Sequence, residues 1–201
     1  AFRSAYVVSP KFDRRTNKGK ADALQWETDN AGKSFIDQDA MDNLKAMQVS
    51  IAEHTGAGDL LHNCVTEQSY FWLDEETAVQ CRIRPDALVV DDQGEVVAMV
   101  DLKTAVDASK RKFSRVISDR GYDLQAAFYV DGLERAIGRQ VPFYYLVVEN
   151  AAPFGVALYK AGQRTIEAGR IKYRAALQML QWCRENNRWP SYQPFGDFEE
   201  I

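Results

Sequence analysis

Cysteine and histidine are scarce in this sequence, and their scarcity excludes several kinds of site. The three cysteines are widely spaced and form neither a CxxC pair nor a disulfide framework, as is typical of a protein kept in a reducing cytosol. The two histidines, His54 and His62, lie eight residues apart and near no second cluster of metal-ligand residues. We interpret both histidines as structural or surface residues, and we expect the protein to be cytoplasmic.

Long hydrophobic runs and an excess of positive charge are missing as well. The apolar stretches are too short to cross a bilayer, so no membrane partner is expected. The formal net charge of −4 argues against a simple basic coat protein for nucleic acid. Two local basic stretches, residues 11–20 and 110–120, could still bind phosphate groups. The alternative is that each stretch is an ordinary solvated face.

Linkers rich in proline or glycine, low-complexity tracts and internal repeats are absent from the 201 residues. A chain of this length suits one domain, so we expect a single domain over residues 1–201. The first residue is Ala1 rather than Met, with no charged-then-apolar leader after it. We therefore expect that the chain lacks an N-terminal segment.

Hydrophobic periodicity predicts an α/β or α+β fold with a central mixed β-sheet flanked by helices. Asp37 is the predicted N-cap of a helix that ends at Thr55-Gly56, and Gly121 separates two further helices. Phe71 and Trp72 are interpreted as core residues of a strand rather than as platforms for bases. The remaining predicted elements are strands at 6–8, 66–73, 80–84, 87–90, 96–102, 141–148 and 155–159, helices at 18–31, 109–119 and 122–137, and a long closing helix.

Two valine-rich strands, residues 87–90 and 96–102, flank a turn that contains Gln93-Gly94. If the turn is centred on that dipeptide, facing residues have numbers that sum to 187, and Asp86 lies opposite Asp101. Because side chains alternate along a strand, Lys103 shares their face. The two carboxylates would then have Cβ atoms about 5 Å apart.

Two carboxylates at this distance repel each other, and an apolar sheet raises the cost of keeping both ionised. One carboxylate can take a proton, or a cation can neutralise the pair; a hard divalent ion with oxygen ligands suits it. An ion held by Asp86 and Asp101 would acidify water and polarise a phosphoryl oxygen, while Lys103 would position the water or stabilise the developing charge. The structural alternative is that Asp86 caps a strand and that Asp101 and Lys103 form a strand-end ion pair.

The residues around this pair resemble a known nuclease signature. Arg84-Pro85-Asp86, followed after 14 residues by Asp101-Leu102-Lys103, resembles the PD-(D/E)xK motif and implies a restriction-endonuclease-like core. Gln125 and Tyr129 resemble the downstream Q-x-x-x-Y motif of the RecB-like branch of that superfamily. Spaced four apart, they lie on one face of a helix, where they could bind phosphate or orient Lys103.

A closer resemblance covers nearly the whole chain. Four segments, in consistent order, resemble the RecE-type, lambda-exonuclease-like phage recombination exonucleases: residues 12–20 (FDRRTNKGK), 81–86 (CRIRPD), 101–104 (DLKT) and 125–132 (QAAFYVDG). The resemblance implies a Mg²⁺-dependent 5′–3′ exonuclease, with Mn²⁺ as a substitute ion. Such an enzyme releases 5′-mononucleotides from linear double-stranded DNA and leaves 3′ overhangs for recombination. The resemblance also implies a homo-oligomeric ring, trimeric or tetrameric, that acts at DNA ends. The implied partner is a single-strand annealing protein, and the implied location is a bacterial host cell.

Matching the motif positions gives the site residues their implied roles. Asp86 and Asp101 would ligate the metal through carboxylates, and Leu102 through its backbone carbonyl. Lys103 would be the catalytic lysine, and Glu67 resembles the upstream acidic residue that binds or tunes a metal. The family's upstream histidine, in a Gly-Thr-x-x-His context, has no counterpart here, and its role is not transferred to either histidine of this chain.

DNA contacts are expected from the two basic stretches. Arginine binds phosphate bidentately, which favours arginines over neighbouring lysines, and the contacts would position DNA rather than read its sequence. No helix-turn-helix, zinc-finger or RNP-type motif occurs, so sequence-specific recognition is not expected. The expected DNA-binding residues are Arg14, Arg15, Lys110, Arg111 and Arg115.

The sequence pattern leaves three alternative functions open. The first is another nuclease of the same superfamily, either a restriction-type endonuclease or a RecB-like helicase-associated domain. The second is a non-catalytic DNA-binding or assembly module with a decayed site, against which the intact Asp86, Asp101, Lys103 and Gln125 argue. The third is a metal-dependent enzyme of another class, such as a phosphatase.

Overall fold

The computed structural model describes residues 5–192, which form nine strands and six helices. The strands are β1 (Tyr6–Ser9), β2 (Ser34–Asp37), β3 (Cys64–Thr66), β4 (Tyr70–Leu73), β5 (Gln80–Ile83), β6 (Ala87–Val90), β7 (Val96–Ala105), β8 (Phe143–Glu149) and β9 (Val156–Lys160). The helices are α1 (Asn17–Asp29), α2 (Gln38–Glu53), α3 (Thr55–Leu61), α4 (Lys110–Asp119), α5 (Tyr122–Ile137) and α6 (Gln163–Asn186).

Five strands form a mixed central sheet in the order β3-β6-β7-β8-β9. Strand β6 is antiparallel to β3 and to β7, β7 and β8 run parallel, and β9 returns antiparallel to β8. Because parallel neighbours need a crossover connection, α4 and α5 link β7 to β8. Two small sheets lie outside the central one: β1 is parallel to β2, and β4 is antiparallel to β5. The predicted α+β fold with a mixed central sheet is confirmed.

The β6–β7 hairpin has the predicted pairing near its open end but a different turn. Residues 87–89 of β6 face residues 98–100 of β7, as predicted. The predicted turn centre at Gln93-Gly94 is wrong, because Gly94 donates its N–H to the carbonyl of Asp91 and takes a φ of 81°. Gly94 therefore follows the two central residues of the turn. A register shift next to Val90 compensates, so the pairing toward the open end is the predicted one.

The two faces of the central sheet carry separate hydrophobic cores. Leu88 and Met99 belong to the larger core, where they join Phe113 of α4. Their sequence neighbours point the other way, so Ala87 packs in a second core with Ala57 of α3. This separation follows from the alternation of side chains along each strand.

Helices α5 and α6 pack closely because a glycine lies at their crossing. A Cβ atom added at Gly169 would lie 2.0 Å from the carbonyl oxygen of Asp123. The buried carboxylate of Asp123 also accepts a hydrogen bond from Lys172 of α6 at 2.5 Å, and Asp131 pairs with Arg170 at 2.7 Å. The close contact and the ion pairs fix α6 against the helix that carries Gln125 and Tyr129.

The single strand predicted at residues 66–73 is wrong. It is divided into β3 and β4, and Glu67 between them has a φ of 59°, which a continuous strand does not accommodate. Trp72 packs in the core against Phe128, with ring centroids 5.0 Å apart, as expected. Phe71 is 63% exposed, so its assignment to the core is wrong.

The helix predicted from Asp37 forms, but the chain continues differently after it. Asp37 is the N-cap of α2 and accepts a hydrogen bond from the backbone N–H of Ala40. Thr55-Gly56 begins the short helix α3 instead of only ending α2. His54 caps α3 by accepting from the N–H of Ala57 at 3.2 Å, which is a structural role. None of the helices within residues 5–192 combines the length and the apolar character needed to span a bilayer.

Candidate active site

Asp86 and Asp101 converge at the end of the β6–β7 hairpin. Asp86 immediately precedes β6, and Asp101 lies within β7, next to the last paired residues of the two strands. The Oδ2 atom of Asp86 accepts a hydrogen bond from the backbone N–H of Leu102 at 2.7 Å. This bond ties the loop that carries Asp86 to the strand that carries Asp101.

Lys103 and Gln125 complete a closed group of side chains around Asp101. Lys103 forms an ion pair with Oδ2 of Asp101, as expected for residues two apart on one strand face. Its Nζ donates to Oε1 of Gln125 at 2.9 Å, and Nε2 of Gln125 donates to Oδ1 of Asp101 at 2.6 Å. Gln125 thus contacts Lys103 directly, while its catalytic role, whether in orienting Lys103 or in binding phosphate, stays a prediction.

The charges in this group do not balance, because two carboxylates meet one ammonium. Asp101 is 2% exposed, and its burial raises its pKa above the ordinary value, with a further rise from nearby Asp86. Contacts with Lys103 and Gln125 oppose this rise without cancelling it. Among the described residues, Oδ2 of Asp101 is the buried side-chain oxygen that lacks a hydrogen bond of standard geometry, although it touches Lys103.

These residues fit a small divalent cation. Mg²⁺ keeps several waters and is usually held by one or two carboxylates together with substrate phosphates, and Asp86 and Asp101 supply such a pair. The N–H and C=O of a strand residue point to the same side, so the carbonyl of Leu102 faces the side of Asp86. Within residues 5–192, no three acidic, histidine or cysteine side chains converge as a metal-binding group, so water and phosphate would fill the remaining positions.

Glu67 and Tyr129 lie beside the site but contact Arg84 rather than Lys103. The backbone N–H of Glu67 donates to the carbonyl of Asp86 at 3.3 Å, while its carboxylate pairs with Nε of Arg84 at 2.5 Å. The hydroxyl of Tyr129 donates to the carbonyl of Arg84 at 3.4 Å. Both residues therefore support the segment that leads into Asp86. The metal-binding role of Glu67 and the catalytic role of Tyr129 stay predictions.

A cleft of about 850 Å³ opens beside Lys103 and runs along α4. Arg115 lines it, as do Lys112 and Arg120, two cations that were not predicted as DNA contacts. Helical spacing could have identified Lys112, which lies three residues before Arg115 and on the same face. Tyr122, which belongs to none of the sequence motifs, also lines the cleft.

The other predicted DNA contacts are not grouped with this cleft. Lys110 lines a separate cavity of about 170 Å³, and Arg111 is exposed on α4 without lining the cleft. Arg14 pairs with Glu27 at 2.5 Å, and Arg15 pairs with Asp13 at 2.9 Å. Their role in binding DNA stays a prediction.

A mixed sheet flanked by helices, with two acids and a lysine on neighbouring strands, is the arrangement of the PD-(D/E)xK class. Residues 6–196 match the family described as "PDDEXK-like domain of unknown function (DUF3799)", and the chain belongs to this family. The superfamily expected from the sequence is therefore confirmed. The match does not distinguish the RecE-type branch within it. No curated protein matches the chain.

Two solved structures are similar to this chain. The crystal structure called "Putative exonuclease" from Eubacterium rectale has a TM-score of 0.57 and 14% sequence identity, and the match covers 86% of this chain and 71% of that one. At this identity the likeness concerns the fold alone. The crystal structure of SSO0001 has a TM-score of 0.39 and 16% sequence identity, and the match covers 78% of this chain and 69% of that one. A TM-score of 0.39 is too low to support an argument.

Proposed function

We propose that this protein is a Mg²⁺-dependent nuclease that degrades linear double-stranded DNA from its 5′ ends. The observation that carries the proposal is the environment of Asp101. Its carboxylate is buried and lies near a second carboxylate, while Lys103 is the one cation paired with it among the described residues. A structural ion pair needs only one acid for one lysine. The additional Asp86 favours a site that accepts a divalent cation.

In this proposal, Asp86, Asp101 and the carbonyl of Leu102 hold the ion. When bound, Mg²⁺ supplies positive charge that polarises a phosphoryl oxygen and acidifies water. The ammonium of Lys103 contacts Asp101 and Gln125, and Lys103 also lines the cleft. From this edge of the cleft the ammonium can position the attacking water or stabilise charge on the phosphate as water attacks phosphorus and the bond to the 3′ oxygen breaks.

The cleft supplies a path for the DNA backbone. Three cations line it: Lys112, Arg115 and Arg120. A DNA backbone whose phosphates contact these cations can reach Lys103. Contacts of this kind are independent of sequence, which suits an exonuclease that must process any end. Arg14 and Arg15 already have acidic partners, so their phosphate contacts would compete with those ion pairs.

The finer features of the proposal rest on the resemblance of the four motif segments to RecE-type exonucleases. These features are the 5′–3′ polarity, release of 5′-mononucleotides, 3′ overhangs for recombination, assembly as a trimeric or tetrameric ring, and transfer to a single-strand annealing protein. The protein from Eubacterium rectale carries the name of an exonuclease, which agrees with the class of activity.

A digest with two topological forms of one DNA tests the proposal. The protein is incubated with Mg²⁺ and either a linear duplex labelled at its 5′ or its 3′ ends or the covalently closed circle of the same sequence. We expect release of the 5′ label as mononucleotide before the 3′ label, an intact circle, and no cleavage in EDTA. Lys103→Ala should abolish cleavage, whereas Lys33→Ala, which removes an exposed lysine from the α1–β2 turn, should not.

Each rival function gives a different result. An endonuclease would nick or linearise the circle. A non-catalytic module would bind the linear duplex without cutting it in Mg²⁺ or in Mn²⁺. A phosphatase would hydrolyse a small phosphate ester at least as fast as DNA. Equal nucleotide release by the wild type and Lys103→Ala would show that the assigned site is wrong.

A further inference from the structure

We propose that Tyr122 is a positioning residue for Lys103, and this proposal rests on the proposed nuclease function. The Nζ atom of Lys103 lies over the aromatic ring of Tyr122, 4.4 Å from its centroid. An ammonium at this distance is attracted by the negative face of the ring. Tyr122 belongs to neither of the motifs that identify the site, although it lines the same cleft as Lys103.

The chain places Tyr122 at this position through a short turn. Gly121, with a φ of 66°, connects α4 to α5 in a backbone conformation that favours glycine. Tyr122 is consequently the first residue of α5 and lies three residues before Gln125, on the same side of the helix. The sequence thus brings an aromatic ring and an amide together over one lysine.

Tyr122 is itself held from two directions. The hydroxyl of Tyr145, which is fully buried, donates a hydrogen bond to the carbonyl of Tyr122 at 2.9 Å. The ring of Tyr122 packs near that of Phe113, with centroids 6.2 Å apart. The hydrogen bond thus anchors the backbone of Tyr122, the contact with Phe113 supports its ring, and the lysine lies over this ring.

Three groups of different kinds define the position of the ammonium. Asp101 attracts it as a counter-ion, Gln125 accepts a directed hydrogen bond, and Tyr122 covers it with an aromatic face. Lysine has a long flexible side chain that loses considerable rotamer freedom when it is fixed. Without the ring, the ammonium can swing into the open cleft, which lowers the fraction of molecules ready for the chemical step. The loss belongs to kcat rather than to KM.

Steady-state kinetics on the linear duplex test this role. Tyr122→Phe keeps the ring and should retain kcat, whereas Tyr122→Leu should lower kcat roughly 5- to 30-fold with little change in KM. Tyr159→Leu is the matched control, because Tyr159 also stacks on Phe113, with centroids 5.8 Å apart, but is not in contact with Lys103 in the described structure. It should lower the thermal unfolding temperature while leaving kcat unchanged.

A second readout does not depend on DNA cleavage. The ε-methylene protons of Lys103 lie close to the ring face, so their NMR signals should be shifted upfield in the wild type and in Tyr122→Phe. The shift should disappear in Tyr122→Leu. An unchanged shift in Tyr122→Leu, an equal loss of kcat in Tyr122→Phe and Tyr122→Leu, or a loss confined to KM would each overturn the proposal. A wild type that does not cut DNA in Mg²⁺ refutes the nuclease function, and the NMR shift still decides whether the ring of Tyr122 lies over Lys103.

Discussion

Replacement of Lys103 by methionine separates an active-site function from a purely structural ion pair. The side chains of Lys103 and Asp101 are 13% and 3% exposed, so solvent screens their interaction little. Methionine preserves most of the volume of the lysine side chain but removes its charge. Asp101 then keeps the hydrogen bond from the amide of Gln125 but still experiences repulsion from Asp86. We expect the variant to be destabilised and inactive.

The stability lost in Lys103→Met is limited by the free energy needed to protonate Asp101. A carboxyl with an ordinary pKa of 3.8 can be protonated at pH 7 for about 4 kcal/mol, at about 1.4 kcal/mol per pH unit. Burial and Asp86 already raise its folded-state pKa, and loss of Lys103 raises it further. An acid whose pKa is raised by folding destabilises the protein above its unfolded pKa, and the penalty fades as the pH falls. We therefore expect a loss of about 3–4 kcal/mol at pH 7 and at most about 2 kcal/mol at pH 5.5.

Urea unfolding at these two pH values measures the effect. Asp101→Asn should be inactive but less destabilised than Lys103→Met, because it also removes the repulsion from Asp86 and leaves unpaired the more exposed of the two partners. Combining Asp101→Asn with Lys103→Met should recover most of the stability lost in Lys103→Met. The reasoning is refuted if Lys103→Met is as stable as the wild type at pH 7, or if its deficit grows as the pH is lowered.

The remaining predictions concern the helix crossing, the cleft and the metal. Gly169→Ala should lower the free energy of unfolding by about 1–3 kcal/mol, because the added Cβ meets a backbone carbonyl. Gly162→Ala is the control and should cost less, because its added Cβ lies in open space. Equal losses of stability in the two variants would contradict this reasoning. In EDTA, Arg115→Gln should reduce the slope of log K for DNA against log salt concentration by about 1, and Arg164→Gln on the exposed side of α6 should not; an unchanged slope would remove Arg115 from the DNA path. Calorimetric titration of Mg²⁺ into cleavage-deficient Lys103→Ala should give tighter binding when linear duplex is present, and equal affinity would contradict the shared site.

The parts of the site that depend on strand alternation could be predicted from the sequence. The pairing of residues 87–89 with 98–100 follows from the hydrophobic pattern on both sides of one turn, and it brings Asp86 near Asp101. The predicted turn centre was wrong without consequence for these residues, because a register shift next to Val90 absorbed the difference. Register near a buried face is fixed by which side chains the core accepts, so the core overrode the turn.

The cations that line the cleft could not be selected from the sequence alone. The sequence located the basic stretch but not the face of α4 that borders Lys103, so the predicted DNA contacts include Arg111, which does not line the cleft, and omit Lys112 and Arg120, which do. Arg14 is paired with Glu27, thirteen residues away, and such contacts depend on how a loop meets a helix. Phe71 was assigned to the core because its hydrophobicity outweighed its alternation with Trp72. Charge and hydrophobicity are properties of residues, whereas the direction of a side chain is a property of the fold.

The distribution of charge explains why DNA and metal should bind together in the proposed nuclease. Lys103 lies between an acidic pair, Asp86 and Asp101, and a cleft that carries the cations of α4. A phosphate drawn in by those cations would bring its own negative charge toward the two carboxylates, and the single ammonium cannot neutralise three negative groups. A divalent cation between phosphate and carboxylates removes this repulsion, so each ligand increases the affinity of the other by the same factor. In the proposed nuclease, the charge imbalance that raises the pKa of Asp101 in the free protein would therefore favour a phosphate and a metal ion bound together.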